Sequence, residues 1–218
     1  MSFLGQSYFA GYLEGSGFED GILWHKSKEP NLLANSQLGK MLVDNGEPHM
    51  VKSGTSLKLN DGFEARLFVD DSCNKTLLEL YENGNLTDRD YFTVPHTYVF
   101  IKDLGASKSV AVLALHISGV NCTQGKVCVV DGIFQISNIS TSIDIGQQYD
   151  KMSIRNIDPS AMTIAMDNKD NPITLLKNMD IPLMNNIYIK TASQKVIDSE
   201  HPLMYYVYTP TTIRSPTK

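Results

Sequence analysis

The chain has 218 residues, 42% of them hydrophobic and 20% charged, with a formal net charge of −5. That balance excludes an intrinsically disordered chain, which would be less apolar and more charged. The negative sign argues against a nucleic-acid binder, and no run of about 18 apolar residues is present to span a bilayer.

The first eight residues, Met1 to Tyr8, lack the basic region and long apolar stretch of a secretory signal. They fit a cytosolic start or a domain cut from a longer exported precursor. Gly11-Tyr12-Leu13-Glu14-Gly15-Ser16-Gly17 is glycine-rich, but no helix follows to supply an anion-binding N-terminus, so it reads as a loop. Residues 31–43 are the best helical candidate; Gly39 interrupts them and no convincing cap precedes them, which counts against a helix.

From there the period is two. Thr55-Ser56-Leu57-Lys58-Leu59 alternates and stops at Asn60-Asp61-Gly62, and residues 76–81 form a second short strand ending at Asn83-Gly84. Residues 98–101 form a third. Residues 110–117 are apolar on both faces, as in a central strand covered on both sides. Val127 to Val130 and Ile133 to Ile136 flank Asp131-Gly132, a hairpin turn or a bulge. Further strands are expected at 162–166, 187–190 and 203–208, rich in β-branched and aromatic residues.

Short strands joined by Gly, Asn and Asp turns predict an all-β chain of two linked antiparallel β-sandwich subdomains with little helix. A shift of 86 residues lays Ser56-Leu57-Lys58-Leu59 on Ser142-Ile143-Asp144-Ile145 and Leu78 and Leu80 on Ile164 and Met166, a weak internal repeat. The expected division is 55–141 as the first sandwich, 1–54 pairing with 142–208 as a discontinuous second, and 209–218 as a Thr/Pro linker or tail.

Chemistry is sparse. His25, His49, His96, His116 and His201 stand apart, none in a metal-binding pair. His116 with Cys122 and Cys128 sketches three zinc ligands at no usual spacing, so a satisfied core histidine is preferred. Asp167-Asn168-Lys169-Asp170-Asn171-Pro172 fails as a calcium loop, with a cation at the third position and proline at the sixth. Asp70 and Asp71 are adjacent and read as turn residues, not an acid/base pair. No nucleophile elbow, phosphate loop or dinucleotide fingerprint appears. The expectation is therefore no enzyme, no catalytic residue, no metal and no cofactor.

The cysteines are Cys73, Cys122 and Cys128. A hairpin between Cys122 and Cys128 brings them within disulfide reach; alternatively they are small hydrophobes in or near strands. Asn74, Asn85, Asn121 and Asn138 open Asn-x-Ser/Thr triplets, candidate glycosylation sites that favour an exported surface protein. Leu203, Tyr205 and Val207 share one face of the last strand, and Met204, Tyr206 and Tyr208 the other. Either both faces are buried, which is preferred, or one offers tyrosines to a partner.

Several segments together resemble one family, the duplicated surface-layer (S-layer) domain of methanogenic, Methanosarcina-type archaea. They are Phe3 to Tyr12, Val130-Asp131-Gly132-Ile133-Phe134-Gln135-Ile136-Ser137, Tyr149 to Met152, Met166 to Asn178, Leu183 to Asn186, Lys190 to Ala192 and Leu203 to Tyr208. The resemblance implies two β-sandwich subdomains in an exported, glycosylated envelope protein that forms a lattice with copies of itself and serves as an acidic sieve. It implies no catalytic residues, no nucleic acid, and a membrane link only through an anchor absent from this chain. The cysteines depart from the family pattern, and −5 is mild for a strongly acidic sieve. The alternative is an extracellular β-sandwich module binding glycans or another surface protein, with Trp24, Tyr206 and Tyr208 as its candidate surface.

Overall fold

The computed structural model describes residues 1–11, 31–123 and 125–210. Trp24 and most of the glycine-rich segment lie outside the described residues. Among the described residues the chain is strands joined by turns, with a single 3-10 turn at Leu32–Asn35 and no α-helix. It divides into two units, Tyr8–Ser142 and Met1–Ser7 with Ile143–Lys218.

The larger unit is a sandwich of two antiparallel sheets. One has the order β5 (Ser56–Lys58), β6 (Phe63–Val69), β7 (Thr76–Glu82), β8 (Asn85–Phe92). The β7–β8 turn puts Asn83 and Gly84 at φ 52° and 83°, the pair of positive angles a tight hairpin needs, and only short polar residues and glycine adopt them readily. Along β6 every second side chain is buried: Phe63, Ala65, Leu67 and Val69.

The other sheet runs β2 (Gln6–Phe9, paired through Tyr8 and Phe9), β3 (Gln37–Asn45), β11 (Val127–Ser142), β10 (Ser107–Asn121), β9 (His96–Leu104), with β4 (His49–Lys52) on the far end of β11. Leu113, Leu115, Ile117, Val130 and Ile133 of this sheet meet Phe63, Leu67, Leu78 and Leu80 of the first to form the main core. A second cluster holds Leu32, Leu104, Val110, Val112 and Ile136. The run 110–115 is apolar and buried throughout because the strand contributes to both clusters.

Residues 31–43 are not a helix. The Asn31 side chain accepts from the Ala34 amide at 3.1 Å and caps one 3-10 turn; Ser36, at φ 53°, ends it, and β3 begins. Gly39 serves packing rather than a turn: a Cβ there would meet Ile136 Cδ1 at 2.8 Å and force that side chain to shift. Asp131-Gly132 is a bulge inside one long strand: His116 pairs with Gly132 and Ile117 with Val130, leaving Asp131 unpaired in the ladder.

The smaller unit has two three-stranded antiparallel sheets. One is β12 (Gln148–Tyr149), β13 (Met152–Asp158), β14 (Thr163–Asp167); the other is β15 (Asp180–Met184), β16 (Ile187–Thr191), β17 (Tyr205–Tyr208). The Lys151 amide donates to the Leu183 carbonyl at 3.1 Å and the Asn185 amide to Asp150 at 2.7 Å, tying one sheet to the other. β1 (Ser2–Phe3) brings Phe3 edge-on to Tyr149, with ring centroids 5.4 Å apart. The described buried apolar side chains of this unit are Phe3, Ile143, Ile154 and Ile181. At an offset of 86 residues β7 falls on β14, and each is antiparallel to the strand before it.

The division differs from the expected one. Among the described residues, only 1–7 group with the C-terminal segment, and 8–11 and 31–54 group with the larger unit. The cause is strand pairing: β3 takes Ile133 to Ser142 of β11 as its partner, and β4 takes Val127 to Val130. Both halves of the 16-residue β11 are thereby used by the N-terminal segment.

Candidate interaction surface

The last strand is exposed, contrary to the preferred core reading. β17 pairs with β16 and, among the described residues, with no other strand. Tyr205, Tyr206 and Val207 are 60%, 54% and 55% exposed, and Met204 before them 68%. Nearby Leu176, Val196 and Ile197 are also exposed, and Leu175, Leu176, Ile197 and Leu203 line a concavity of about 680 Å³ with Lys177 and Lys195 at its rim. Apolar side chains grouped in this way mark an interaction surface more often than a bare fold.

One face of the strand is organised by a hydrogen bond. The Tyr208 hydroxyl donates to the Asp180 carboxylate, 2.8 and 2.7 Å from its two oxygens. That bond raises the Tyr208 pKa to about 12. Register places Tyr188 opposite Tyr208 and Lys190 opposite Tyr206. The Tyr188 and Tyr208 rings stack at 5.6 Å, and Tyr206 lies 5.8 Å from Tyr208. Of the two tyrosines singled out from the sequence, Tyr208 is therefore committed within the unit and Tyr206 is presented outward.

The four triplet asparagines sort by environment. Asn85 is exposed at the β7–β8 turn, and Asn74 is exposed in the β6–β7 turn. Asn121 accepts from the Thr123 amide and hydroxyl through its own Oδ1, at 3.0 and 2.7 Å. Asn138 is half-buried, its Nδ2 donating to Glu82 at 3.0 Å.

The disulfide joins Cys73 to Cys122, not Cys122 to Cys128, with Cα atoms 6.6 Å apart. Ladder register explains the difference. Val120 lies opposite Cys128, so Cys122 is its diagonal neighbour, roughly 7–8 Å away and beyond easy bridging. Cys128 is instead buried in the main core, and burial pushes its thiol up to about 11. The sequence reading missed Cys73, which stands in the turn Asp70-Asp71-Ser72-Cys73-Asn74 between β6 and β7 and is brought to Cys122 at the end of β10. The bridge ties one sheet of the sandwich to the other.

His116 is not a zinc ligand in the making. Its Nδ1 lies 2.5 Å from Asp131, whose carboxyl is held below the usual range by hydrogen bonds from Ser118 and His116. With Cys122 in a disulfide and Cys128 in the core, the three do not converge; among the described residues no three His, Cys, Asp or Glu side chains do. Asp167 and Asp170 are occupied by Arg155, at 2.8 and 2.5 Å, so the calcium-like segment is an ion-paired turn. Asp70 accepts from Ser72 and from the Asn74 and Lys75 amides, while Asp71 pairs with Lys126 at 2.6 Å. Both are turn residues. No described helix is long and apolar enough to cross a membrane.

Comparison with known proteins agrees with this strand-built, surface-rich chain. The sequence profile of a family described as S-layer protein matches residues 1–193. A curated relative, the major S-layer protein of Methanosarcina mazei, is 25% identical over an alignment covering 81% of this chain. The chain spans 27% of the length of that relative. With the family profile matched over most of its length, the chain belongs to the S-layer protein family.

Proposed function

We propose that the chain is a structural tile of a surface layer, associating with copies of itself into a two-dimensional lattice that covers the cell and acts as a protective sieve. The observation that carries this reading is the edge of β17. It has neither charge nor proline within Tyr205–Tyr208, and three of its four side chains are exposed. An unblunted, apolar strand edge is a template for pairing with another chain. Contacts that join unlike surfaces without closing a ring extend indefinitely, and many weak ones add through avidity. Family membership supports the same reading.

Glycans on Asn85 and Asn74 are part of the proposal, supported by the exposure of both side chains. Intact-mass analysis of the native protein tests them directly.

The lattice is tested by electron microscopy. Envelopes bearing the protein should show periodic arrays, and a dispersed protein without order overturns the reading. Val207→Lys places a charge on the strand edge at an exposed position. It should abolish arrays while changing stability by less than about 0.5 kcal/mol.

A further inference from the structure

The outward face of the four-stranded sheet carries an apolar row that the core does not use. Phe68 lies opposite Leu77, and Leu77 opposite Tyr91, so the three side chains stand in line across β6, β7 and β8. Phe68 is 37% and Tyr91 71% exposed. Two shallow concavities of about 290 and 520 Å³ flank Tyr91, and Lys75 and Tyr91 line both. Asp70, bonded to its own turn, sits on the first and His96, bonded to Asp90, on the second, which leaves the Lys75 ammonium as the hydrogen-bonding group beside an aromatic floor.

The middle residue of the row, Leu77, comes three residues after Asn74. The turn that carries Asn74 is rigid: the Asp70 carboxylate accepts from the Asn74 amide at 2.9 Å and the Lys75 amide at 3.1 Å, and the adjacent Cys73 is fixed by its disulfide. At about 3.3 Å per strand residue, Asn74 lies roughly 10 Å along the chain from Leu77. That is within the span of a disaccharide. Lys75, the residue between the asparagine and Thr76, already reaches both concavities.

We infer that the Phe68–Leu77–Tyr91 row is the seat of an N-linked glycan carried by Asn74, whose first sugars lie with their C–H faces on Tyr91 and Phe68 and their hydroxyls toward Lys75. The inference rests on the proposed glycosylation of this asparagine. The occupant follows from the tether: an aromatic floor, a lysine at its edge and a fixed attachment point meet within one turn and three strands. An aromatic ring offers a sugar an apolar face, and the lysine ammonium donates to its polar rim. Thr76 of the triplet is only 2% exposed, so attachment precedes the pairing of β7.

The test uses the full chain exported from a host that N-glycosylates surface proteins, as wild type, Tyr91→Ala and Phe68→Ser. Both changes are at exposed positions, and the Cys73–Cys122 bridge, mapped by mass spectrometry, reports that the sandwich has formed. Glycopeptide mapping should find Asn74 occupied in all three. Periodate oxidation of the folded proteins should then attack the Asn74 sugars several-fold to about tenfold faster in Tyr91→Ala than in wild type, with Phe68→Ser between them. An Asn74 without glycan overturns both the glycosylation of that residue and this inference. An occupied Asn74 with equal oxidation rates overturns the seat alone.

Discussion

The two units spend their apolar residues in opposite ways. In Tyr8–Ser142 two long-stranded sheets enclose a continuous core, a second cluster covers another part of β10, and a disulfide ties the sheets together. In the unit of Met1–Ser7 and Ile143–Lys218 the sheets have three strands each and few residues per strand. Phe3, Ile143, Ile154 and Ile181 are buried there, while Ile145, Leu176, Val196, Ile197, Met204, Tyr205, Tyr206 and Val207 are exposed. Burial of apolar area is the main favourable term in folding, so the larger unit holds most of the stability. The smaller one keeps its apolar surface available for association.

Core truncation is the most severe way to break this contrast. Leu115→Ala removes a fully buried side chain from the main core and should cost about 3–5 kcal/mol. Ile181→Ala, in the smaller unit, is partly relieved at its 8% exposed site and should cost about 2 kcal/mol. Followed by calorimetry, each variant should move a different transition. If both move a single transition equally, the units unfold as one and the contrast in stability fails.

Removing the bridge is the next largest change. Cys73→Ser with Cys122→Ser opens a cross-link spanning 49 residues of sequence and should destabilise the larger unit by about 2–4 kcal/mol. The transition of the smaller unit should stay in place, because neither cysteine belongs to it. Denaturant unfolding with and without reductant makes the same comparison on the unaltered chain. Loss of both transitions together would show that the larger unit supports the smaller.

How much of this was readable from the sequence depended on whether the information was local. Asn83-Gly84 and the alternation of β6 announce a hairpin because turn chemistry and the two-residue period act over a few positions. The doubly apolar run 110–117 announces a strand covered on both faces, and from Val110 to Leu115 it is one. Register was not local. Nothing in residues 37–52 states that they pair with β11, so the sequence division sets them apart from the strand they pair with. The same holds for Cys122, whose partner is set by the diagonal geometry of one ladder and the return of a distant turn. At the surface, residues 203–208 carry apolar side chains on both faces, which in isolation resembles a buried strand. Exposure follows from the absence of a described neighbour beyond β17, a property of topology and not of composition.

The smallest expected effect contrasts two tyrosines that each donate to an aspartate. In the larger unit the Tyr98 hydroxyl donates to Asp88 at 2.7 Å, and the side chain is 3% exposed. Burial is the leading cause of its raised pKa, with Asp88 second. In the smaller unit Tyr208 is half-buried, and the leading cause is the Asp180 bond itself. Both phenols are favoured in the neutral form by the fold. Stability from each is therefore fully present below the unfolded value of about 10 and is lost as pH rises through the folded value. For Tyr208 that window runs from about 10 to about 12. Alkaline titration of tyrosinate absorbance should show Tyr208 ionising reversibly near 12 while the larger unit remains folded, and Tyr98 ionising only when its unit unfolds. Tyr208→Phe should remove the late reversible step and flatten the pH dependence of the smaller unit between 10 and 12, leaving the larger unit's transition where it was. A late step that persists in Tyr208→Phe would mean that another phenol, not the one held by Asp180, is responsible for it.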